Sequence, residues 1–281
     1  THLLHLCLLR PGARAPWPGP VVGLGHSLGL ISAVIAGLRL DGGRQQFLRD
    51  AQETVALTVL TLLRCQQAAG DPHGEPELVR RYAQTSGAKE RPGPMVAVSG
   101  LPVERLRDLL DAYLADGGHP VELGLVNGPR DAVLCGSTTG LLELWFRHRV
   151  TLAEAGASYT FLRSTVPFHN SRMASVLDHL DADLAWVGAS ITSARLAAPV
   201  YATDTPRNLQ QSGNLYADCL AQVICRPLNW SATVRTAVAA HRPARAFDFG
   251  PGVAVRMFTR NCLEAQGDVL EYVPVRPAVT A

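Results

Sequence analysis

The six cysteines form no CxxC pair and share no metal-ligand spacing with the histidines, and no apolar run approaches the ~20 residues needed to cross a bilayer. The first absence argues against a zinc site. It leaves the thiols, at positions 7, 65, 135, 219, 225 and 262, reading as reduced and mostly buried in a cytoplasmic protein. The second excludes a spanning helix, and the opening THLLHLCLLR is too short and lacks the cleavage pattern of a signal peptide. Charge is sparse as well. Only 18% of residues are charged, the net charge is +2, and the arginines are scattered, so there is no basic stripe for nucleic acid. Internal repeats and low-complexity tracts are missing too. What remains is a globular chain of 281 residues, 47% hydrophobic, able to bury a substantial core as one large domain or two subdomains. Residue 1 is threonine, and the expectation is an excerpt of a longer polypeptide.

Small apolar residues fill Gly29–Gly37 and predict a buried helix. From Gln45 to Gln67, apolar residues recur at helical spacing, including Phe47, Ala51, Val55, Val59 and Leu63, and predict a long amphipathic helix. The stretch AAGDPHGEPELVRRYAQTSGAKERPGP, polar and broken by Gly and Pro, reads as a surface excursion or linker. A strand at Met95–Ser99, a helix over Val103–Leu114 and a strand at Val121–Val126 follow. Next come a turn at Asn127-Gly128-Pro129, a strand at Ala132–Cys135, a helix over Thr138–Arg149 and a strand at Ala157–Leu162. That β-α-β-β-α-β order is the ferredoxin-like signature and predicts an inserted subdomain over 94–165, leaving 1–93 and 166–281 as the core. Beyond it, helices are expected over Arg172–Leu184, Leu215–Ile224, Ser231–Ala240 and Val253–Glu264, with strands in PVYATD (199–204) and at Ala246–Phe249. The alternation argues for an α/β layer architecture with a parallel sheet.

Residues 25–29, GHSLG, fit the G-x-S-x-G nucleophile elbow. A serine on so sharp a turn projects outward at a helix N-terminus, where free amides and the helix dipole favour developing negative charge; the amide of Leu28 is one candidate oxyanion donor. The plain alternative is a tight turn that happens to hold Ser27. A serine also needs a base. Nine histidines compete. His2, His5, His73, His119, His148, His179 and His241 lie in the terminal segment, polar loops or helices and read as solvated or capping residues. His26 is on the wrong side of the turn to reach the hydroxyl. His169, in STVPFHNS, follows a proline and an aromatic residue that fix its loop as the chain returns from the insertion, which makes it the candidate base.

The segments GHSLG, LVNGPRDAVLCG, VPFHNS, PVYATD and AFDFGPG stand in the order found in acyl-CoA:carrier-protein acyltransferase domains of type I fatty acid and polyketide synthases. From about residue 1 to 275 the chain most resembles the acetyl-transferase domain of the fungal-type fatty acid synthase beta subunit. The resemblance implies an α/β-hydrolase-like core with a parallel sheet and an inserted ferredoxin-like (βαββαβ) subdomain. It implies Ser27 as acyl-accepting nucleophile and His169 as base. His26, Asn127, Phe168 and Gly250 would lie near substrate, although Asn127 reads equally as a turn residue. Backbone carbonyls around Phe249–Gly250 would hold the imidazole, with no third acid, and Asp248 would anchor its loop. The implied donor is an acyl-CoA and the acceptor the phosphopantetheine thiol of an acyl carrier protein, with other domains of a type I synthase as partners and no bound cofactor. Two departures stand out. The Gly-Gln loop that supplies a second oxyanion amide in the family has no counterpart here, and Leu28 replaces the Gln usual in fungal acetyl-transferases. Malonyl-accepting members carry an arginine on the long helix; here that position falls at Thr61, with Arg64 one turn on. The expected substrate is therefore a neutral acetyl or short to medium acyl group. A malonyl-type transferase, a thioesterase or esterase, and a degenerate scaffold domain are the alternatives.

Overall fold

The structure, a computed structural model, describes residues 21–38, 43–87, 91–250, 252–264, 267 and 270–275. His2, His5 and Cys7 lie outside the described residues. The chain divides into two compact units. One holds the chain up to Thr61 with Leu177–Val223 and the chain from Trp230 on; the other holds Leu62–Val176 and Ile224–Asn229.

In the first unit, α1 (Gly29–Gly37) is buried nearly all round, as its small apolar sequence requires. Gly37 has no side chain because a Cβ there would sit 3.0 Å from Val200 Cγ2. The long helix α2 (Gly43–Ala68) begins in this unit and runs two residues further at its N-terminus and one at its C-terminus than the apolar spacing predicts. Its buried Asp50 is held by Arg195 at 2.8 Å and by Gln46 at 2.6 Å. The expected strand over 199–204 is reduced to bridges: Val200 pairs parallel with Gly23, and Tyr201 antiparallel with Asn208. Hydrogen bonding there passes to the loop that follows, Leu209 donating to Val200 and Ala202 to the Arg207 carbonyl. The expected helix over 172–184 is a 3-10 helix (Ser171–His179) followed by an α-helix (Leu180–Val187), which both units share.

In the second unit, α3 (Pro76–Ser86) occupies the stretch read from sequence as linker, which corrects that reading. Proline stands in its first turn and Gly87 closes it in the left-handed region, φ 67°. Its one buried side chain, Tyr82, packs edge-on against Trp145 (4.8 Å) and Phe161 (5.3 Å). Then come β1 (Met95–Ser99), α4 (Val103–Ala115), β2 (Val121–Gly128), β3 (Asp131–Gly136), α5 (Thr138–Glu154), β4 (Ser158–Phe161) and the short β5 (Leu228–Asn229). The sheet runs β4-β1-β3-β2-β5, antiparallel throughout except for the parallel β2–β5 edge. Asn127 and Gly128, expected in a turn, are inside β2, whose register against β3 shifts at Gly124 and at Asn127. Such bulges re-aim a side chain without ending the strand. Here Asn127 is 5% exposed.

The first unit closes with α6 (Leu180–Val187), α7 (Leu215–Ile224, whose last residue joins the second unit), α8 (Trp230–His241), β6 (Arg245–Asp248), α9 (Ala254–Glu264) and β7 (Glu271–Pro274). Strands β6 and β7 pair in parallel. Because Tyr82 is the one fully buried side chain that docks α3, with Leu78 and Val79 packed beside it, Tyr82→Ala should cost about 3–5 kcal/mol of stability, the range for deleting a buried aromatic. Urea unfolding followed by tryptophan emission checks this; an unchanged midpoint would mean α3 does not belong to the core.

Candidate active site

The turn before α1 is built by a missing side chain. A Cβ at Gly25 would overlap the Gly29 carbonyl and the Leu30 nitrogen, so residue 25 passes directly under the first turn of the helix. Ser27 takes a left-handed backbone, φ 53°. From it the chain enters α1 through tight i→i+3 bonds: Gly29 to the His26 carbonyl (2.9 Å), Leu30 to that of Ser27 (2.9 Å) and Ile31 to that of Leu28 (3.2 Å). Those donors begin at Gly29; the Leu28 amide lies one residue earlier, at the positive end of the helix. His26 points its half-buried ring at the edge of Trp230 (centroids 5.3 Å apart) and toward Phe258 (6.0 Å). Trp230 is fixed in turn by its indole N–H, which donates to Thr259 Oγ1 at 3.0 Å.

His169 lies in the second unit. It is 1% exposed and also left-handed, φ 57°. Among the described residues only Ser27, His169 and Arg242 combine a side chain with positive φ. The His169 Nδ1 sits 3.1 Å from the Arg226 carbonyl oxygen. A carbonyl only accepts, so Nδ1 carries a proton in this contact, and in the neutral ring the lone pair is then on Nε2. Phe168 beside it is half-buried.

Thr61 is 4% exposed and turns its hydroxyl back on the Leu57 carbonyl, 2.8 Å. Thr54 and Thr58 do the same along that helix, bonding to Asp50 and Thr54 carbonyls. Arg64 is half-buried, not at a fully solvated helix end. Asp248 accepts the Gly250 amide at 2.9 Å and faces Arg256 at 3.8 Å, the loop-anchoring role expected of it, and Gly250 itself is left-handed at φ 64°. Sequence reasoning missed Glu122, Asn170 and Arg226, which hold the chain around His169. Their signal is pairing across distant segments, and local spacing carries none of it.

Four of the described cysteines are poorly placed to compete as nucleophiles. Burial pushes the Cys65 thiol up to about 11 and raises those of Cys135, Cys219 and Cys225 above the ordinary range. The thiolate, not the thiol, attacks. Iodoacetamide at pH 7 should therefore leave Cys65, Cys135 and Cys219 unmodified in native protein and label them in urea, as read by peptide mass mapping. Stoichiometric labelling of the native fold would contradict the burial argument.

No protein-family model matches the chain. It is 30% identical over 247 residues to the fatty acid synthase beta subunit TOXC of Cochliobolus carbonum, covering 81% of this chain. The chain spans 11–12% of the length of the curated relatives it matches. In structure it is similar to an acyl carrier protein S-malonyltransferase from Vibrio cholerae, with TM-score 0.71, 22% identity and coverage of 99% of this chain and 77% of that one. It is also similar to a malonyl-transacylase solved in complex with a type II polyketide synthase acyl-carrier protein, with TM-score 0.69, 20% identity and coverage of 98% and 75%. At such identities the structural likeness speaks for the α/β fold alone. The chain is thus related, over 81% of its length, to a segment of a fungal fatty acid synthase beta subunit, and it shares the α/β fold of solved malonyltransferases.

Proposed function

We propose that this domain is an acyl-CoA:acyl-carrier-protein transacylase that loads a neutral acyl group through an ester on Ser27. The observation that carries the reading is backbone strain. A left-handed residue with a side chain costs about 1–2 kcal/mol, and two of the three such residues described are the serine and the histidine singled out by sequence motif. Strain of this kind collects at functional sites.

In the proposed reaction Ser27 Oγ attacks the thioester carbonyl while Nε2 of His169 takes its proton. The Arg226 carbonyl holds Nδ1–H and stabilises the imidazolium that forms, a task given to a carboxylate in triads. The Leu28 amide faces the oxyanion, and one such donor is worth about 3–4 kcal/mol. Collapse expels the CoA thiolate, which is protonated by His169. In the second half the phosphopantetheine thiol gives its proton to His169 and attacks the Ser27 ester, and the serine alkoxide leaves and is reprotonated.

Substrate charge follows from α2. Thr61 offers no cation and its hydroxyl is already used within the helix. A malonyl carboxylate buried there would go unpaired, at a cost of several kcal/mol. This departs from the solved malonyltransferases of the same fold, and the reading is that acetyl or a short to medium acyl chain is the substrate. The carrier protein as acceptor and a larger synthase as context rest on the relatives; among the described residues no helix is long and apolar enough to cross a membrane.

Intact-mass analysis after incubation with acetyl-CoA should show one adduct, absent in Ser27→Ala, and His169→Ala should slow its appearance roughly 10²–10⁴-fold. Parent-rate acylation of His169→Ala would remove it as the base. With acetyl-CoA and malonyl-CoA in competition, the acetyl adduct should dominate; a dominant malonyl adduct would overturn the substrate reading and point to Arg64 as the carboxylate partner.

A further inference from the structure

His169 adopts a backbone conformation that its own side chain disfavours, so other groups must hold it there. The next two residues reveal which. Asn170 is 0% exposed and uses every polar group it has. Its Nδ2 donates to the Cys135 carbonyl on β3 (3.0 Å), its amide to the Ile224 carbonyl (3.4 Å), and its Oδ1 accepts the Arg172 amide (3.1 Å). Its own carbonyl accepts the Met173 amide at 3.0 Å. Ser171 then gives both its amide (2.9 Å) and its hydroxyl to the two oxygens of the Glu122 carboxylate on β2. Two residues further along the same strand, at the register shift, Gly124 leaves a gap: a Cβ there would overlap Cys135 Sγ and come within 3.2 Å of the His169 carbonyl oxygen. The sheet of the second unit thus grips the chain at residues 169, 170 and 171 in succession.

We propose that Glu122 and Asn170 are positioning residues that lock His169 in its left-handed conformation and so fix the direction in which Nε2 points. This rests on the reading of His169 as the base. The lock has a specific chemistry. A carboxylate can accept from both donors of Ser171, one on each oxygen, whereas an amide of the same shape offers one acceptor and one donor. If Ser171 is released, the backbone at residue 169 can relax toward the ordinary right-handed or extended regions. The imidazole then swings, because the Nδ1 contact to the Arg226 carbonyl is made from this one backbone geometry. Misplacing a catalytic group by about 1 Å costs on the order of a hundredfold in rate, and partial loosening correspondingly less.

The test is a cycle of four proteins: the parent, Glu122→Gln, His169→Ala and the double variant. Each is assayed for acylation by acetyl-CoA in single turnover and for kcat and KM, with thermal melts alongside. Glu122→Gln should lower the acylation rate about tenfold with KM within about twofold. In the His169→Ala background the same change should have no further effect, because a residue that acts through the imidazole has nothing left to act on. Ser171→Ala, a surface change that removes one of the two bonds to Glu122, should give about a threefold loss with the same dependence on His169 and serves if Glu122→Gln fails to fold. The proposal is overturned if folded Glu122→Gln and Ser171→Ala acylate at the parent rate. It is equally overturned if they slow acylation by the same factor with and without the imidazole. Parent-rate acylation by His169→Ala alone is a different result, which removes the base itself.

Discussion

A left-handed backbone at a residue that carries a side chain is unfavourable by about 1–2 kcal/mol, and it persists only where neighbouring groups leave no alternative. At Ser27 the neighbouring constraint is Gly25, whose bare Cα lets the chain fold tightly under the first turn of α1. Once that turn is made, Ser27 projects at the helix N-terminus, the position where an attacking hydroxyl and a developing oxyanion gain most from the helix field. The small residues of α1 follow from the same requirement. The helix behind the turn is buried nearly all round, and a Cβ at Gly37 would press on Val200.

At His169 the constraint is assembled differently. No glycine precedes it; instead Asn170 and Ser171 are bonded to two strands, and Gly124 gives room for its carbonyl. Each unit thus stabilises one of the two strained residues that the motifs single out, the first through an absent side chain and the second through a hydrogen-bonded frame. The main-chain carbonyl of Arg226 completes the second arrangement by accepting from Nδ1, and in the proposed mechanism it takes the part that a carboxylate has in triads. Asp248, the carboxylate in the conspicuous FDFGPG segment, is occupied with its own loop amide.

How much of this was legible in sequence depended on how local each determinant was. Helix α1 and α7 were readable to the residue because their apolar patterns and bounding residues are contiguous. The βαββαβ order was readable for the same reason. Helix α3 was not: its flanking Gly, Pro and charged residues look like loop, and it is the docking of Tyr82 on Trp145 and Phe161, with Leu78 and Val79 beside it, that makes it a helix worth forming. Asn127-Gly128-Pro129 has turn composition, yet the pairing with β3 carries the strand through Asn127 and Gly128 by way of a bulge. The 199–204 segment failed the other way, with strand-like residues spending their hydrogen bonds on the adjacent loop. Ser27 and His169 were nominated by short motifs. The groups that hold His169 come from positions 122, 124, 135 and 226, a separation that no periodicity encodes.

The central claim is that Ser27 passes an acyl group to a thiol and does not release it to water. A chase experiment tests this directly. Protein loaded with isotopically labelled acetyl-CoA, freed of excess donor, is mixed with a holo acyl carrier protein, and the label is followed by mass spectrometry. The account predicts that the label is found on the Ser27 peptide before the chase and on the phosphopantetheine thiol after it, with little free acetate. Label released mainly as acetate, or never found on Ser27, would contradict it.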